Sequence, residues 1–482
     1  MTDPTDPTDT TSPGSSKAPR TALVTGATGY IGGQLVPALL DAGWTVRVLT
    51  RSRTGLRHRD WRDDVHVVEG DATSPDDLGA ALDGVEVAYY LLHSMDGQGS
   101  FVERDRTMAQ GFAAAATDAG TARVVYLSGL HPSGELSEHL ASRVEVGEIF
   151  LAGPVPATVL QAGVVLGDGS ASFDMLRHLT ERLPAMVAPK WVDNRIQPIA
   201  VDDVVHYLVG AADLPADSNR AFDIGGPEVL TYAEMMQRYA QIAGLGRRLV
   251  VSVPVLTPRL AGLWVGLVTP ISAGIARPLV GSLVHEAICH EDDVQGAIGP
   301  PPGGLARFDE AVRAALRTVD PLLWRRTVQR TAGTVAAAAV VGSLLTDPKS
   351  RWYAALDKPA WQPPPVAFPV VWTALYTEVA LLTAAASAVL AERDHPQQAR
   401  DLERALRVNM VLNAGWTGLF FRAHRPWVAA AECAALTASS VDLARRVAPA
   451  GRGKATGLLA YAGWCAFATA LSTAIARRNP RH

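Results

Sequence analysis

Between residues 21 and 224, short runs of β-branched and apolar residues alternate with longer stretches whose apolar positions recur at helical spacing. The runs at 21–25, 45–50, 65–69, 85–91, 123–127, 158–162 and 221–224 predict strands, and 33–42 and 101–119 predict amphipathic helices between them. Such alternation predicts an α/β fold, a Rossmann-like doubly wound parallel sheet with helices on both faces. Residues 254–283 are apolar and hold Trp264 with several Gly and Pro, predicting either helices of a substrate-side cap or a helix lying in a membrane interface. The run GPPPGG at 299–304 predicts a loop, and 305–319 a helix that ends before Asp320-Pro321.

Beyond residue 330 the pattern changes. Residues 331–346 and 455–476 carry no charge, and 361–391 carry only Glu378. Residues 408–421 are uncharged but short, while 427–444 hold Glu432 and Asp442. Roughly 20 apolar residues cross a bilayer core. Hydropathy alone supports the second and fifth windows best, and the third and fourth least. An ionised Glu378 would be costly in lipid, which predicts that it faces the bundle interior. The expected organisation is a disordered leader over 1–20, a nucleotide-binding domain over 21–320, a linker over 321–330 and a membrane domain over 331–482.

Charge and composition narrow the classes. A net charge of −4 with no long basic run argues against a nucleic-acid partner. Cys289, Cys433 and Cys465 are scattered, which excludes a disulfide framework and a zinc cluster and predicts no metal. The first twenty residues lack an apolar core, so they do not read as a signal peptide. The nucleotide-binding domain is therefore expected in the cytoplasm, and Arg and Lys are more numerous at the inner helix ends in that orientation. Basic residues are mostly Arg, which suggests a bacterial source and a multi-pass protein of the cell (inner) membrane, with the lipid bilayer as partner and a homodimer as a further expectation.

Chemistry enters at TALVTGATGYIGG, residues 21–33. Gly26 permits a tight turn, Gly29 lets backbone approach a pyrophosphate, and Gly32 lets helix pack on strand. After the second strand stand Thr50-Arg51-Ser52-Arg53, where an NAD-selective site would place an acid. A guanidinium there pairs with a 2′-phosphate, so NADP(H) is favoured over NAD(H). Asp71 is placed either to hydrogen-bond an adenine or to cap the next turn.

These residues resemble the NmrA-like branch of the atypical short-chain dehydrogenase/reductase superfamily over roughly residues 20–300. The likeness rests on Gly26-x-x-Gly29-x-x-Gly32, YYLLHSM at 89–95, Ser128, IQPIAVDDVV and FDIGGPEVLTY. It implies cofactor contacts from Gly26, Thr28, Gly29, Tyr30, Ile31, Gly32, Arg51, Asp71, Ala72 and Ser128. Active members use a Tyr-x-x-x-Lys pair, but no lysine lies between Lys17 and Lys190. His139-Leu-Ala-Ser-Arg143 occupies the aligned position. It offers His139 as a proton relay near neutral pH with Arg143 beside it, or else an exposed helix pair without chemistry.

From residue 331 onward the chain resembles the tryptophan-rich sensory, or TspO/MBR translocator, family. The match runs through Trp352-Tyr353, Lys358-Pro359-x-Trp361, Pro363-Pro364, Phe368, Trp372, Leu375-Tyr376, Leu412-Asn413-x-x-Trp416, Phe420-Phe421, Tyr461, Trp464 and Phe467-Ala468. This implies an all-α five-helix transmembrane bundle with a cavity for porphyrins or another hydrophobic small molecule. Trp352, Tyr353, Trp361, Trp372, Tyr376, Trp416 and Trp464 are then wall residues, each otherwise an interfacial anchor or a packing residue, with Asn413 and Ser472 as polar contacts. Two departures stand out: Phe368-Pro-Val-Val-Trp372 replaces the family's Phe-Gly-Pro-Val-Trp, and Ser472 stands where Asn is usual.

The pairing predicts a sensory protein in which a tetrapyrrole-binding bundle is joined to an NADP(H)-binding domain. Alternatives are a membrane-bound NADPH-dependent oxidoreductase of a hydrophobic substrate, and a nucleotide-binding scaffold with an anchor.

Overall fold

The computed structural model describes residues 20–93, 101–132, 136–253, 265–266 and 268–480. Residues 1–19 of the leader, the last two residues of YYLLHSM and most of the first half of 254–283, including Trp264, lie outside the described residues. The chain folds as two compact units, one through Val319 and one from Asp320.

In the first unit seven strands form one parallel sheet: β1 (Thr21–Thr25), β2 (Thr45–Thr50), β3 (His66–Glu69), β4 (Val87–Tyr90), β5 (Arg123–Gly129), β6 (Ala157–Ala162) and β7 (Arg220–Ile224). Their order is β7-β6-β5-β4-β1-β2-β3. All seven predicted strands are present, with ends moved by one or two residues. Side chains of successive residues point to opposite faces, so Val24, Tyr89 and Val125 enter one core with Leu35, Leu39 and Tyr207. Leu23, Tyr90 and Tyr126 enter the other with Phe112 and Phe150. The first face carries α1 (Tyr30–Asp41); the second carries α2 (Pro75–Leu82), α3 (Phe101–Asp118) and α4 (Glu138–Ala152). The chain winds outward from β1 to β3 and then returns to place β4 on the other side of β1. That reversal opens a crevice at the carboxyl ends of β1 and β4.

Beside the sheet, a two-stranded parallel ribbon pairs Ala185–Pro189 with Leu249–Val253. The predicted helix at 305–319 is shorter, Phe308–Ala315. Of the apolar 254–283 stretch, Ala273–Leu283 is helical.

The second unit is built on five long helices: α5 (Leu323–Leu345), α6 (Ala367–Glu392), α7 (Pro396–Thr417), α8 (Pro426–Val447) and α9 (Arg452–Arg478). Three of them, α5, α6 and α9, are long and apolar enough to cross a membrane. The expected linker at 321–330 is largely helical, because nothing after Pro321 breaks the pattern and α5 begins at Leu323. Pro369 falls in the first turn of α6, where no intrahelical N–H is lost, so the altered Phe368–Trp372 segment leaves the helix unbroken to Glu392. After Thr417 one turn widens into a π-helix, Gly418–Arg422.

Candidate functional site

The first site lies at the carboxyl edge of the parallel sheet. Gly26 has φ +71°, and a Cβ there would lie 2.4 Å from the Leu91 carbonyl oxygen just past β4. A Cβ on Gly32 would lie 2.5 Å from the Gly26 carbonyl oxygen. Both glycines are thus required by the close approach of backbone to backbone. Gly29 caps α1 without any side-chain hydrogen bond, and no acid stands in the first turn. The free N–H groups of that turn and the helix dipole together suit a pyrophosphate, so this cradle fits a dinucleotide.

The segment between β2 and β3 folds over this turn, and only part of it was foreseeable. Arg59 donates from Nη2 to the carbonyl oxygens of Thr28 at 2.9 Å and Gly29 at 3.2 Å. Trp61 Nε1 donates to the Gly33 carbonyl at 3.3 Å. Arg53 is tied back to the Val67 carbonyl and Glu69. Arg51 is exposed and makes no hydrogen bond or ion pair among the described residues. Asp71 accepts from Thr73 N–H and Oγ1, which with the nearby Arg51 holds its carboxyl below the usual range. Asp71 thereby caps its own turn. Ala72 follows it at the same edge, half-buried. Tyr30 and Ile31 open α1, and burial raises the Tyr30 phenol against Asp168, Asp202 and Asp174.

At the end of β5 the sheet meets α4. Tyr126 Oη and Ser128 Oγ both donate to the Arg143 carbonyl, at 3.2 and 3.3 Å. The Arg143 Nη2 donates back to the Leu127 carbonyl at 2.9 Å, while its Nε is enclosed and without a partner among the described residues. His93 packs edge-on against the Tyr126 ring, with centroids 5.9 Å apart. Burial, reinforced by Arg143, pushes the His139 imidazole down to about 4, and His93 is lowered well below its ordinary value for the same reasons. His139 and Arg143 are therefore no exposed pair. They are half-buried, and burial favours the neutral form of the His139 imidazole. His93 and Tyr126 escaped notice because no local spacing marks them; only the parallel register of β4 and β5 brings them to Arg143.

The bundle residues form two ring clusters. In one, Trp372 contacts Tyr376, Tyr461 and Trp464 at centroid distances of 5.3, 6.3 and 6.4 Å, and Trp361 reaches Phe467 at 5.8 Å. In the other, Trp416 stacks on Phe420 at 5.5 Å, Trp352 stacks on His424 at 4.3 Å, and Tyr353 faces Phe421 at 5.4 Å. Asn413 is already engaged: its Oδ1 accepts from Tyr376 Oη at 2.6 Å and its Nδ2 donates to Tyr461 Oη at 3.4 Å. Ser472 Oγ accepts from Trp416 Nε1 at 3.2 Å. Both expected polar contacts thus bind helix to helix. By contrast, Trp464 Nε1 and Gln362 Oε1 are enclosed without a partner among the described residues. Glu378, expected to face inward, is half-buried, with one oxygen 3.7 Å from where a Cβ on Gly457 would lie.

A profile described as NAD(P)H-binding matches residues 26–150, and one described as TspO/MBR family matches residues 331–478. The chain is 30% identical over 232 residues to the ceramide reductase of Caulobacter vibrioides, covering 47% of this chain and 72% of that protein. It is 28% identical over 149 residues to the tryptophan-rich protein TspO of Chlorobaculum tepidum, covering 31% of this chain and 92% of that one. The crystal structure of Citrobacter sp. triphenylmethane reductase complexed with NADP(H) shares the fold of the first unit, with a TM-score of 0.50, 19% identity, and coverage of 61% of this chain and 100% of that chain.

Proposed function

We propose that this chain, which belongs through its N-terminal unit to the NAD(P)H-binding family of the Caulobacter vibrioides ceramide reductase and through residues 331–478 to the TspO/MBR family, is a membrane-held reductase of a hydrophobic carbonyl substrate. The observation that carries this reading is Arg143, whose Nε is an enclosed donor without a partner among the described residues, beside Ser128 at the carboxyl end of β5. A bound nicotinamide cofactor supplies the hydride. Arg143, braced by the Leu127 carbonyl, stabilises the oxyanion that develops on the carbonyl oxygen. His139 stays neutral and serves as a hydrogen-bond partner, and the final proton comes from water. Arg51, unpaired among the described residues, favours NADP(H) over NAD(H) by pairing with the 2′-phosphate that only NADP(H) carries.

Purified full-length protein in detergent tests this reading, by following NADPH absorbance with long-chain ketones and aldehydes. Turnover with at least one of them is expected, with Arg143→Leu lowering kcat roughly 10²-fold and Arg143→Lys less. Absence of turnover with every such carbonyl, in protein that binds NADPH, would refute it.

A second activity is supported by the bundle, where Trp464 Nε1 and Gln362 Oε1 are left for a ligand among stacked rings. In this reading all five helices cross the inner membrane, the N-terminal unit is cytoplasmic, the protein is a homodimer, and the aromatic clusters receive a porphyrin or a similar flat hydrophobic molecule. If the two sites are coupled, protoporphyrin changes the NADPH affinity; equal affinities with and without it would show independent sites.

A further inference from the structure

The ribbon of the first unit turns an apolar face outward. In its parallel register Leu249 stands beside Ala185, and Val251 beside Val187. Val187 is 57% exposed, Leu249 62% and Val251 47%, and Ala185 is exposed with them. The alternate residues Met186 and Ala188 are buried, so the pleat divides this ribbon into an inner and an outer apolar face. Among the described residues of this unit, the only other exposed large hydrophobic is Val229. Two exposed cations flank the outer face, Arg247 just before one strand and Lys190 just after the other. Neither makes a hydrogen bond or ion pair among the described residues, although Asp193, in the turn that follows, is also exposed.

We propose that this basic-flanked face of Ala185, Val187, Leu249 and Val251 docks onto the surface of an anionic lipid bilayer. Four partly exposed side chains make a patch of at most a few hundred Å². That is well short of the ~800 Å² per partner typical of a stable protein interface. It suffices for a lipid surface, because helices of the same chain are long and apolar enough to cross one, and a tethered contact needs little affinity of its own. Apolar side chains enter the headgroup boundary while flanking cations pair with lipid phosphates. Docking goes beyond the reductase reading and does not depend on it, but it would keep the crevice close to a substrate dissolved in the membrane.

The test uses full-length protein in nanodiscs of phosphatidylcholine, alone or with one quarter phosphatidylglycerol. Val187→Cys and Leu249→Cys are labelled with an environment-sensitive fluorophore, with Asp217→Cys as an exposed control and the unsubstituted chain as the labelling background. Doxyl-labelled lipid is expected to quench the labels at 187 and 249 at least twofold more than the label at 217. The difference should grow with phosphatidylglycerol and shrink on adding Arg247→Glu and Lys190→Glu. Quenching no greater than at 217 would overturn the proposal, and equal quenching in both mixtures would overturn its anionic part. Oxidative crosslinking of the 187 or 249 variants into dimers, without doxyl quenching, would assign the face to a second copy instead. NADPH oxidation is read separately, so failure of docking and failure of the reductase are distinguishable.

Discussion

Arg59 Nη2 donates to the carbonyl oxygen of Thr28 across 31 positions of sequence, at 2.9 Å. The guanidinium thereby fixes the peptide planes of the turn whose free N–H groups suit a pyrophosphate, and adds positive charge beside it. Replacing it with Ala is expected to weaken NADPH binding about tenfold, ~1.4 kcal/mol, with Lys restoring part of the loss. Fluorescence titration of both variants checks this. Unchanged affinity in Arg59→Ala would reduce the contact to packing.

Gly32 admits no side chain. In Gly32→Ala the methyl group would meet the Gly26 carbonyl oxygen at 2.5 Å and Ala27 Cα at 2.8 Å, both backbone atoms that cannot swing aside. Overpacking of this kind costs about 1–3 kcal/mol. The expected result is loss of measurable cofactor binding by calorimetry, together with a lower thermal midpoint.

Arg51 is expected to set cofactor choice. Arg51→Ala should raise the Kd for NADPH by roughly tenfold or more while leaving NADH nearly unchanged, since only the former carries the extra phosphate. A parallel loss for both cofactors would contradict this assignment.

His139 makes stability depend on pH in a fixed direction. Its folded-state value is depressed to about 4 by burial and by Arg143, below the ordinary 6.5, so the unfolded chain takes up the proton first. The stabilising contribution is complete above about 6.5 and is lost as the pH falls through about 4. His93 acts in the same sense. Thermal unfolding at pH 7.5 and pH 5 should therefore show an acid-induced drop that is smaller in His139→Gln.

Much of this molecule was legible before its coordinates. Most of the seven strands are short runs rich in Val, Leu, Ile and Thr or in aromatic residues, and the glycine spacing at 26, 29 and 32 encodes its own geometry. The arginines at 51, 53, 57, 59 and 62 look interchangeable in sequence. Their different fates depend on partners such as Thr28 and Val67 that only folding supplies. The ribbon strand 185–189 is short, ends in Pro189 and lies far from its partner in sequence, so no periodicity announces it. In the bundle the aromatic spacing picked out residues whose rings meet in clusters, whereas the engagement of Asn413 by two tyrosines depends on three helices meeting.

That engagement is itself testable. Asn413→Leu removes a partner from both Tyr376 and Tyr461, and a typical hydrogen bond contributes about 0.5–1.5 kcal/mol. A destabilisation of about 1–2 kcal/mol is expected in a detergent-denaturation titration. Asn413→Asp, which keeps the acceptor for Tyr376, should lose less.

The widened turn at Gly418–Arg422 gives one helix an extra residue without lengthening it by a full step. Phe420 and Phe421 are consecutive, yet both are buried and both contact the Trp416 ring, one face-on and one edge-on. An ordinary pitch would swing neighbouring side chains about 100° apart and send one of them outward. Deleting a single residue here is expected to break the contact of one of these two rings with Trp416.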